Sequence, residues 1–319
     1  MATHVSVLPR ELLEIISADA AAPSLRFVRL PHPRTNLPCL FLPYESAGGQ
    51  SAILEVQAIS PDAERSWFMN GTHVVEDGKL LVYTPIDPAF LLAPLLQLSE
   101  PSEGQPGQYL PAEDLFDFVS VRLTIAADTV TTTPAEKANA DVLHLLRFRC
   151  IGEALRRVCD YKELNEDMTV YRFSRQKLVN YARAKVDHLA SPDVFSKFRV
   201  LVRGLAKEGL ADDIESKKDI TTQARLRAAC DLVSQYLAPE TNATLTAMFD
   251  FSALDAYLST LQDDLFPTTK KTSAAASLPA QEKGTKRKAE KQGSRGVEKL
   301  KKANTAGMSK LSSFFQKKP

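Results

Sequence analysis

The sequence predicts an α+β chain: a β-rich first third, a helical second half and a basic tail that does not fold. Three observations carry this expectation. Apolar residues alternate over short runs between Leu25 and Tyr83, the period of half-buried strands. From Asp141 they recur every three or four positions, the spacing of one helix face. After Phe266 and Pro267 large apolar side chains thin out, and residues 270–319 contain neither Trp nor Tyr.

The elements follow in order. Residues 25–30 alternate and are broken by Pro31, Pro33 and Asn36. Residues 39–42 form a second strand candidate, closed by Pro43, and residues 53–59 a third. Residues 66–69 and 80–83 flank a turn-rich piece ending in Asp77-Gly78. Short strands at such spacing suggest a small antiparallel sheet or barrel. Thr84-Pro85-Ile86-Asp87-Pro88 then opens a helix, with Asp87 as N-cap and Pro88 at the first helical position. This helix carries Phe90, Leu91, Leu92, Leu95 and Leu96 and is kinked or interrupted near Pro94. Residues 99–112 read as a linker. Residues 118–125 are compatible with a strand, and residues 129–134 with a surface insertion.

Five helical stripes follow. They are Phe148/Ile151/Leu155/Val158, Leu178/Ala182/Val186/Leu189 with Ser174 as cap, Val194/Phe198/Leu201/Leu205, Leu226/Cys230/Val233/Leu237 and Leu254/Tyr257/Leu258/Leu261. Each stripe is too narrow for a free helix and must pack on others. The predicted organisation is therefore 1–98 as a β-rich interaction domain with a terminal helix, and 99–140 as linker and insertion. Residues 141–266 form the helical domain and residues 267–319 a disordered basic tail.

Charge is distributed unevenly. Lys plus Arg number 40 and Asp plus Glu 39, for a net +1. Residues 1–140 carry net −9, 141–210 net +5, 211–269 net −6 and 270–319 net +11. An acidic body with a basic tail suits an adaptor whose tail meets an acidic partner, a transport receptor or nucleic acid. No apolar run reaches the length of a membrane span, and residues 1–10 lack a secretory signature. The four cysteines are widely spaced without C-x-x-C, which reads as reduced thiols in the cytosol or nucleus. The glycosylation patterns at Asn70 and Asn242 are then chance matches.

Catalytic motifs are missing. There is no P-loop, G-x-S-x-G, H-E-x-x-H or G-x-G-x-x-G. The five histidines are scattered. Two-metal nucleases need carboxylates from separate core strands, and Glu55 is the nearest case to a carboxylate embedded in an apolar strand. The expectation is no catalytic, cofactor-binding or metal-binding residue.

The tail carries two signals. Met308-Ser309-Lys310-Leu311-Ser312-Ser313-Phe314-Phe315 resembles the clamp-binding box that docks on PCNA, the sliding clamp. A 3₁₀ turn has a period of three, so Met308, Leu311 and Phe314 share one face, with Phe315 beside them. Met308 stands where Gln is usual and forfeits its amide hydrogen bonds, about 1 kcal/mol. Lys286, Arg287 and Lys288, then Lys299, Lys301 and Lys302, fit a bipartite nuclear import signal and place the chain in the nucleus. The alternative is a basic solubilising or DNA-tethering tail.

The body then shows a family likeness. Ser66-Trp67-Phe68-Met69-Asn70, Gly78-Lys79-Leu80-Leu81 and Thr84-Pro85-Ile86-Asp87-Pro88-Ala89-Phe90-Leu91-Leu92 resemble the B subunits of eukaryotic ribonuclease H2. Residues 4–13 and Tyr171-Arg172-Phe173-Ser174 add to the likeness. Residues 118–139 depart from it.

The resemblance implies a non-catalytic subunit of a heterotrimer. In it an A subunit holds the metal ions, cleaves the RNA strand of RNA–DNA hybrids and incises at single ribonucleotides in DNA. The B and C subunits wind together into a β-barrel that supports A. It also implies a winged-helix-like fold for the helical half. The barrel explains the first domain physically, since several short strands leave sheet edges that a partner chain would close. Trp67, Phe68, Pro85, Asp87 and Pro88 are then structural or at the subunit interface. Arg172, Arg175, Lys177, Arg183 and Lys185, around one helix, are either duplex contacts or a solvated basic surface. The other reading is a free-standing PCNA- and DNA-binding regulator.

Overall fold

The alternation in the first third does build a sheet. The computed structural model describes residues 3–265, apart from 19–24, 47, 64, 70, 72, 102–106, 128–134, 166–167 and 211–217. Strand β1 (Val5–Val7) leads to helix α1 (Arg10–Ala18), then β2 (Val28–Pro31), β3 (Pro38–Glu45) and β4 (Ser51–Ile59). A short ribbon, β5 (Trp67–Met69) and β6 (His73–Val75), precedes β7 (Leu80–Ile86). The main sheet has the order β1-β7-β4-β3-β2, with β1 parallel to β7 and the other pairs antiparallel. The ribbon pairs only with itself among the described residues.

Two strands outrun their expected ends. β3 continues through Pro43, opposite Ile53, and β7 through Pro85, opposite Leu54. Proline survives in strands where one side is an open edge. β2 stops covering β3 at Phe41, and β1 stops covering β7 at Val82, so both prolines lie past the point where a second neighbour needs their amide.

The pleat sends successive side chains to opposite faces. Phe41 and Ile53 enter the main core, while Leu42, Tyr44 and Leu54 pack with Leu12 of α1 on the other face.

The helical part begins with α2 (Pro88–Gln97), capped by Asp87 and continuing through Pro94. Seven of its residues, including Leu91, Leu92 and Leu96, are buried. After the two-residue β8 (Leu110–Pro111) comes α3 (Ala112–Ala127), then α4 (Ala135–Leu145). The strand expected over 118–125 is thus a helix. Leu115, Phe116 and Val119 form its buried face, while Phe118 and Val121 are exposed. Those two apolar residues on the outer face blurred the period of 3.6. The insertion expected at 129–134 lies outside the described residues.

Next come α5 (Arg149–Val158), the hairpin β9 (Cys159–Glu163) and β10 (Thr169–Phe173), and α6 (Arg175–Ala190). Ser174 caps α6, accepting the Lys177 N–H at 3.3 Å. With β8 on the outer side of β10, helices and hairpin make the winged-helix arrangement. The stripe 194–205, expected as one helix, is two: α7 (Pro192–Phe195) and α8 (Arg199–Lys207). A tight turn in which the Phe198 N–H bonds the Phe195 carbonyl separates them. Helices α9 (Lys218–Ser234), α10 (Pro239–Thr246) and α11 (Ser252–Leu265) complete the described chain.

One cluster of buried side chains extends from Val28 in the sheet to Leu245 in α10. A smaller one joins α8, α9 and α11 through Leu205, Ala224 and Leu254. Asp141 of α4 is 2% exposed and fastens the helices to the sheet, accepting the Arg26 guanidinium and, at 2.9 Å, the Arg29 N–H of β2. Asp141→Asn keeps the shape and loses the charge. It is expected to lower the unfolding free energy by about 1–2 kcal/mol, read from urea denaturation.

Candidate functional site

Asp87 is the point where sheet, helix and charge meet. Its backbone is extended, and its carboxylate accepts the Ala89 N–H at 3.0 Å, closing the first turn of α2 with Pro88 at its start. The other oxygen accepts the Tyr181 hydroxyl at 2.6 Å and the Lys185 ammonium at 2.8 Å, both from α6. One carboxylate therefore ties the end of β7 to α6. Burial pushes its pKa up, but hydrogen bonds from Lys185, Tyr181 and Ala89, with the Lys185 charge, outweigh that and hold it below the ordinary range. For Lys185 burial works downward and Asp87 more than offsets it, so its pKa is raised. Pro85 lies within β7 itself, so Pro85, Asp87 and Pro88 serve a strand-to-helix junction.

Trp67 and Phe68 behave differently from each other. The Trp67 indole N–H donates to the Lys79 carbonyl at 3.1 Å and leaves the ring half-buried. A Cβ on Gly78 would stand 2.3 Å from the Arg65 carbonyl oxygen, so the ribbon's base closes only around glycine. Phe68 points away, 80% exposed, directly opposite Val74 at 56%. Met69 of the ribbon and Ile59 at the end of β4 are exposed as well. Several large apolar side chains in one region of a small sheet are a surface built to be covered.

The basic residues expected around α6 are brought together but already have partners. Arg172 bonds Asp160 at 3.0 Å and stacks over Tyr109. Arg175 grips Glu100 with contacts of 2.5–2.9 Å. Lys177 donates to the Cys159 carbonyl at 2.7 Å and lies 3.6 Å from Asp160. Arg183 faces Asp187 at 3.9 Å, and Lys185 is held by Asp87. Their charges are largely answered within the chain.

Glu55, 4% exposed, accepts Gln57 Nε2 at 3.0 Å and the Tyr236 hydroxyl at 3.3 Å, with His32 Nε2 at 3.6 Å. It joins sheet to helices. Among the described residues no three His, Cys, Asp or Glu side chains converge in a metal-holding group. The four cysteines are free. Burial pushes Cys159 up to about 12 and Cys230 up to about 11, which keeps both as unreactive thiols. Met308, Leu311, Phe314, Phe315 and the basic clusters Lys286-Arg287-Lys288 and Lys299, Lys301, Lys302 lie outside the described residues.

Sequence reasoning missed Tyr181 and Val74. Tyr181 sits one turn before Lys185, a spacing that places both on one face of α6. Val74 follows Asn70-Gly71, a strong hairpin signal, and Gly71 has φ +72°.

Comparison with known proteins adds to this geometry. The model of the Ydr279p protein triple barrel domain matches residues 15–87. That of the Ydr279p protein family (RNase H2 complex component) wHTH domain matches residues 90–246. The chain is 26% identical over 316 residues to the ribonuclease H2 B subunit of Xenopus laevis, covering 96% of this chain and 92% of that one. It is 25% identical over 301 residues to its Xenopus tropicalis counterpart, covering 92% and 87%. The corresponding B chain of Schizosaccharomyces pombe ribonuclease H2 is 36% identical over 93 residues, 29% of this chain and 30% of that one.

Proposed function

The chain belongs to the Ydr279p family of RNase H2 complex components, and from that premise we propose that it is the non-catalytic scaffold of a heterotrimeric ribonuclease H2. In this reading the C subunit supplies strands to its open sheet, and the A subunit holds the metal ions and breaks the phosphodiester bond. The complex degrades the RNA of RNA–DNA hybrids and incises at single ribonucleotides in DNA. The observation that carries the proposal is the unfinished sheet. Its outer strands β1 and β2 have no second neighbour among the described residues, and the apolar ribbon stands beside it. Unpaired strand edges and uncovered apolar side chains invite another chain.

Co-expression with A and C subunits tests this. One heterotrimeric peak on size exclusion is expected, and a monodisperse chain that ignores both subunits would favour the free-standing regulator. The isolated chain with Mg²⁺ or Mn²⁺ is expected to leave an RNA–DNA hybrid intact.

The tail then has a separate task. Leu311, Phe314 and Phe315 dock on PCNA, with Met308 in the usual Gln position, and the two basic clusters carry the complex into the nucleus. Replacing Phe314 and Phe315 by Ala is expected to abolish retention on immobilised PCNA while hybrid cleavage by the assembled enzyme stays unchanged. Loss of cleavage in that variant would contradict the division of labour.

A further inference from the structure

Two groups of cations in the helical half contrast. Those on and around α6 are matched to carboxylates or carbonyls. Those of residues 197–207 are not: Lys197, Arg199, Arg203 and Lys207 are exposed and have no carboxylate partner among the described residues. The stretch contains no acidic residue. Arg199, Arg203 and Lys207 are spaced four apart on α8, so they form one stripe, with successive charges about 6 Å apart along the axis. The rest of that outer face is small: Val200, Gly204 and Ala206 leave the cations standing clear.

We propose that α8 binds the sugar–phosphate backbone of a nucleic acid duplex through Arg199, Arg203 and Lys207, with Lys197 at its edge. A line of unpaired cations on a rigid helix suits a regular line of phosphates, where each contact releases condensed counterions. A membrane surface is the poorer fit. Leu205 of α8 is 9% exposed and Leu201 packs against the same cluster, so Phe198, Val200 and Val202 are the exposed apolar side chains left to it, a short apolar surface for entering lipid beside three cations. A single strand fits less well, because stacking successive bases needs several aromatic rings and α8 offers one, Phe198 at its N-cap, 39% exposed. An acidic peptide shares the attraction to charge, and the poly-glutamate arm of the experiment separates it from a duplex. The duplex counts as the flank of a ribonuclease H2 substrate only if the chain acts in that complex. In that respect the inference rests on the reading above.

The experiment measures fluorescence anisotropy of a labelled DNA duplex without ribonucleotides, titrated with the full chain alone and with the assembled complex, from about 50 to about 200 mM KCl. With each phosphate contact contributing about 0.9 to the slope of log K against log salt, Arg199→Gln/Arg203→Gln/Lys207→Gln is expected to reduce the slope by about 2 or more. Affinity at the lowest salt is expected to fall at least tenfold. Arg199→Lys/Arg203→Lys is expected to keep the slope. Circular dichroism of the triple variant verifies folding, since all three side chains are exposed. A slope change below about 2 in the folded variant would overturn the inference. So would loss of poly-glutamate binding with duplex binding intact. Failure to assemble with A and C subunits would sink the scaffold reading and leave the slope difference of the full chain readable.

Discussion

Asp87→Ala is expected to cost about 3 kcal/mol of folding stability, the sum of a lost helix cap and charged hydrogen bonds left without a partner. The cap alone is about 1 kcal/mol. The larger share comes from the Tyr181 hydroxyl and the Lys185 ammonium, which lose their common acceptor at 2.6 and 2.8 Å. Asp87→Asn separates the two contributions, because an amide oxygen still caps α2 but no longer attracts Lys185. Its expected loss is about half as large.

The charge also fixes the pH dependence. Asp87 has its folded pKa below the ordinary carboxylate value, so its contribution is complete above about pH 4 and is lost as pH falls through the depressed folded value. Lys185 has a raised folded pKa. Its contribution is complete below about pH 10 and is lost only as pH rises through that raised value. Both are therefore complete at neutral pH. Thermal melts between about pH 2 and pH 7 are expected to show a shallower acid limb for Asp87→Ala than for the native chain. Equal acid limbs would mean that Asp87 contributes shape and not charge.

The second large effect concerns assembly and leaves the fold alone. Phe68 is 80% exposed and Val74 56%, so Phe68→Asp/Val74→Asp removes almost no buried area. The stability of the isolated chain is expected to change by no more than about 0.5 kcal/mol. At an interface the same side chains are candidates for the few residues that dominate binding, each costing about 2 kcal/mol or more on removal. The pair is then expected to weaken capture by the partner subunits at least about 100-fold, measured by titrating A and C subunits against immobilised chain. Undiminished capture would leave the ribbon a solvent-exposed ornament of the sheet.

Much of this architecture was legible in the sequence, and the failures have physical causes. The strands around Phe41, Ile53 and Leu80 stood out because one face of each meets a core. The Asp87-Pro88 start of α2 was readable because cap chemistry is local. Residues 118–125 were not, because Phe118 and Val121 place apolar side chains on the solvent face of α3 and mimic alternation. The hairpin β9–β10 was hidden inside a helical reading, since its outward residues Asp160, Lys162 and Glu163 look like helix surface. Among the candidate site residues, Trp67 and Phe68 were readable as facing opposite ways, because adjacent strand residues do, but which of the two is exposed was not. The fate of Arg175 and Lys185 could not be foreseen. Their partners Glu100 and Asp87 lie 75 and 98 positions earlier in the chain, and only the fold brings them into contact. The cations of α8 were half legible: residues 197–207 hold no acidic residue, but that no distant carboxylate among the described residues reaches them, as Glu100 and Asp87 reach α6, only the fold shows.

The central claim is that this sheet is finished by another polypeptide. Amide hydrogen exchange, followed by mass spectrometry on the full chain alone and on the chain with A and C subunits, tests it most directly. Residues Val5–Val7 of β1 and the ribbon from Trp67 to Val75 are expected to exchange quickly alone and to slow at least tenfold on assembly, while the core of α2 is slow in both. Equal protection of β1 and the ribbon in both states would show a sheet complete in itself and contradict the claim.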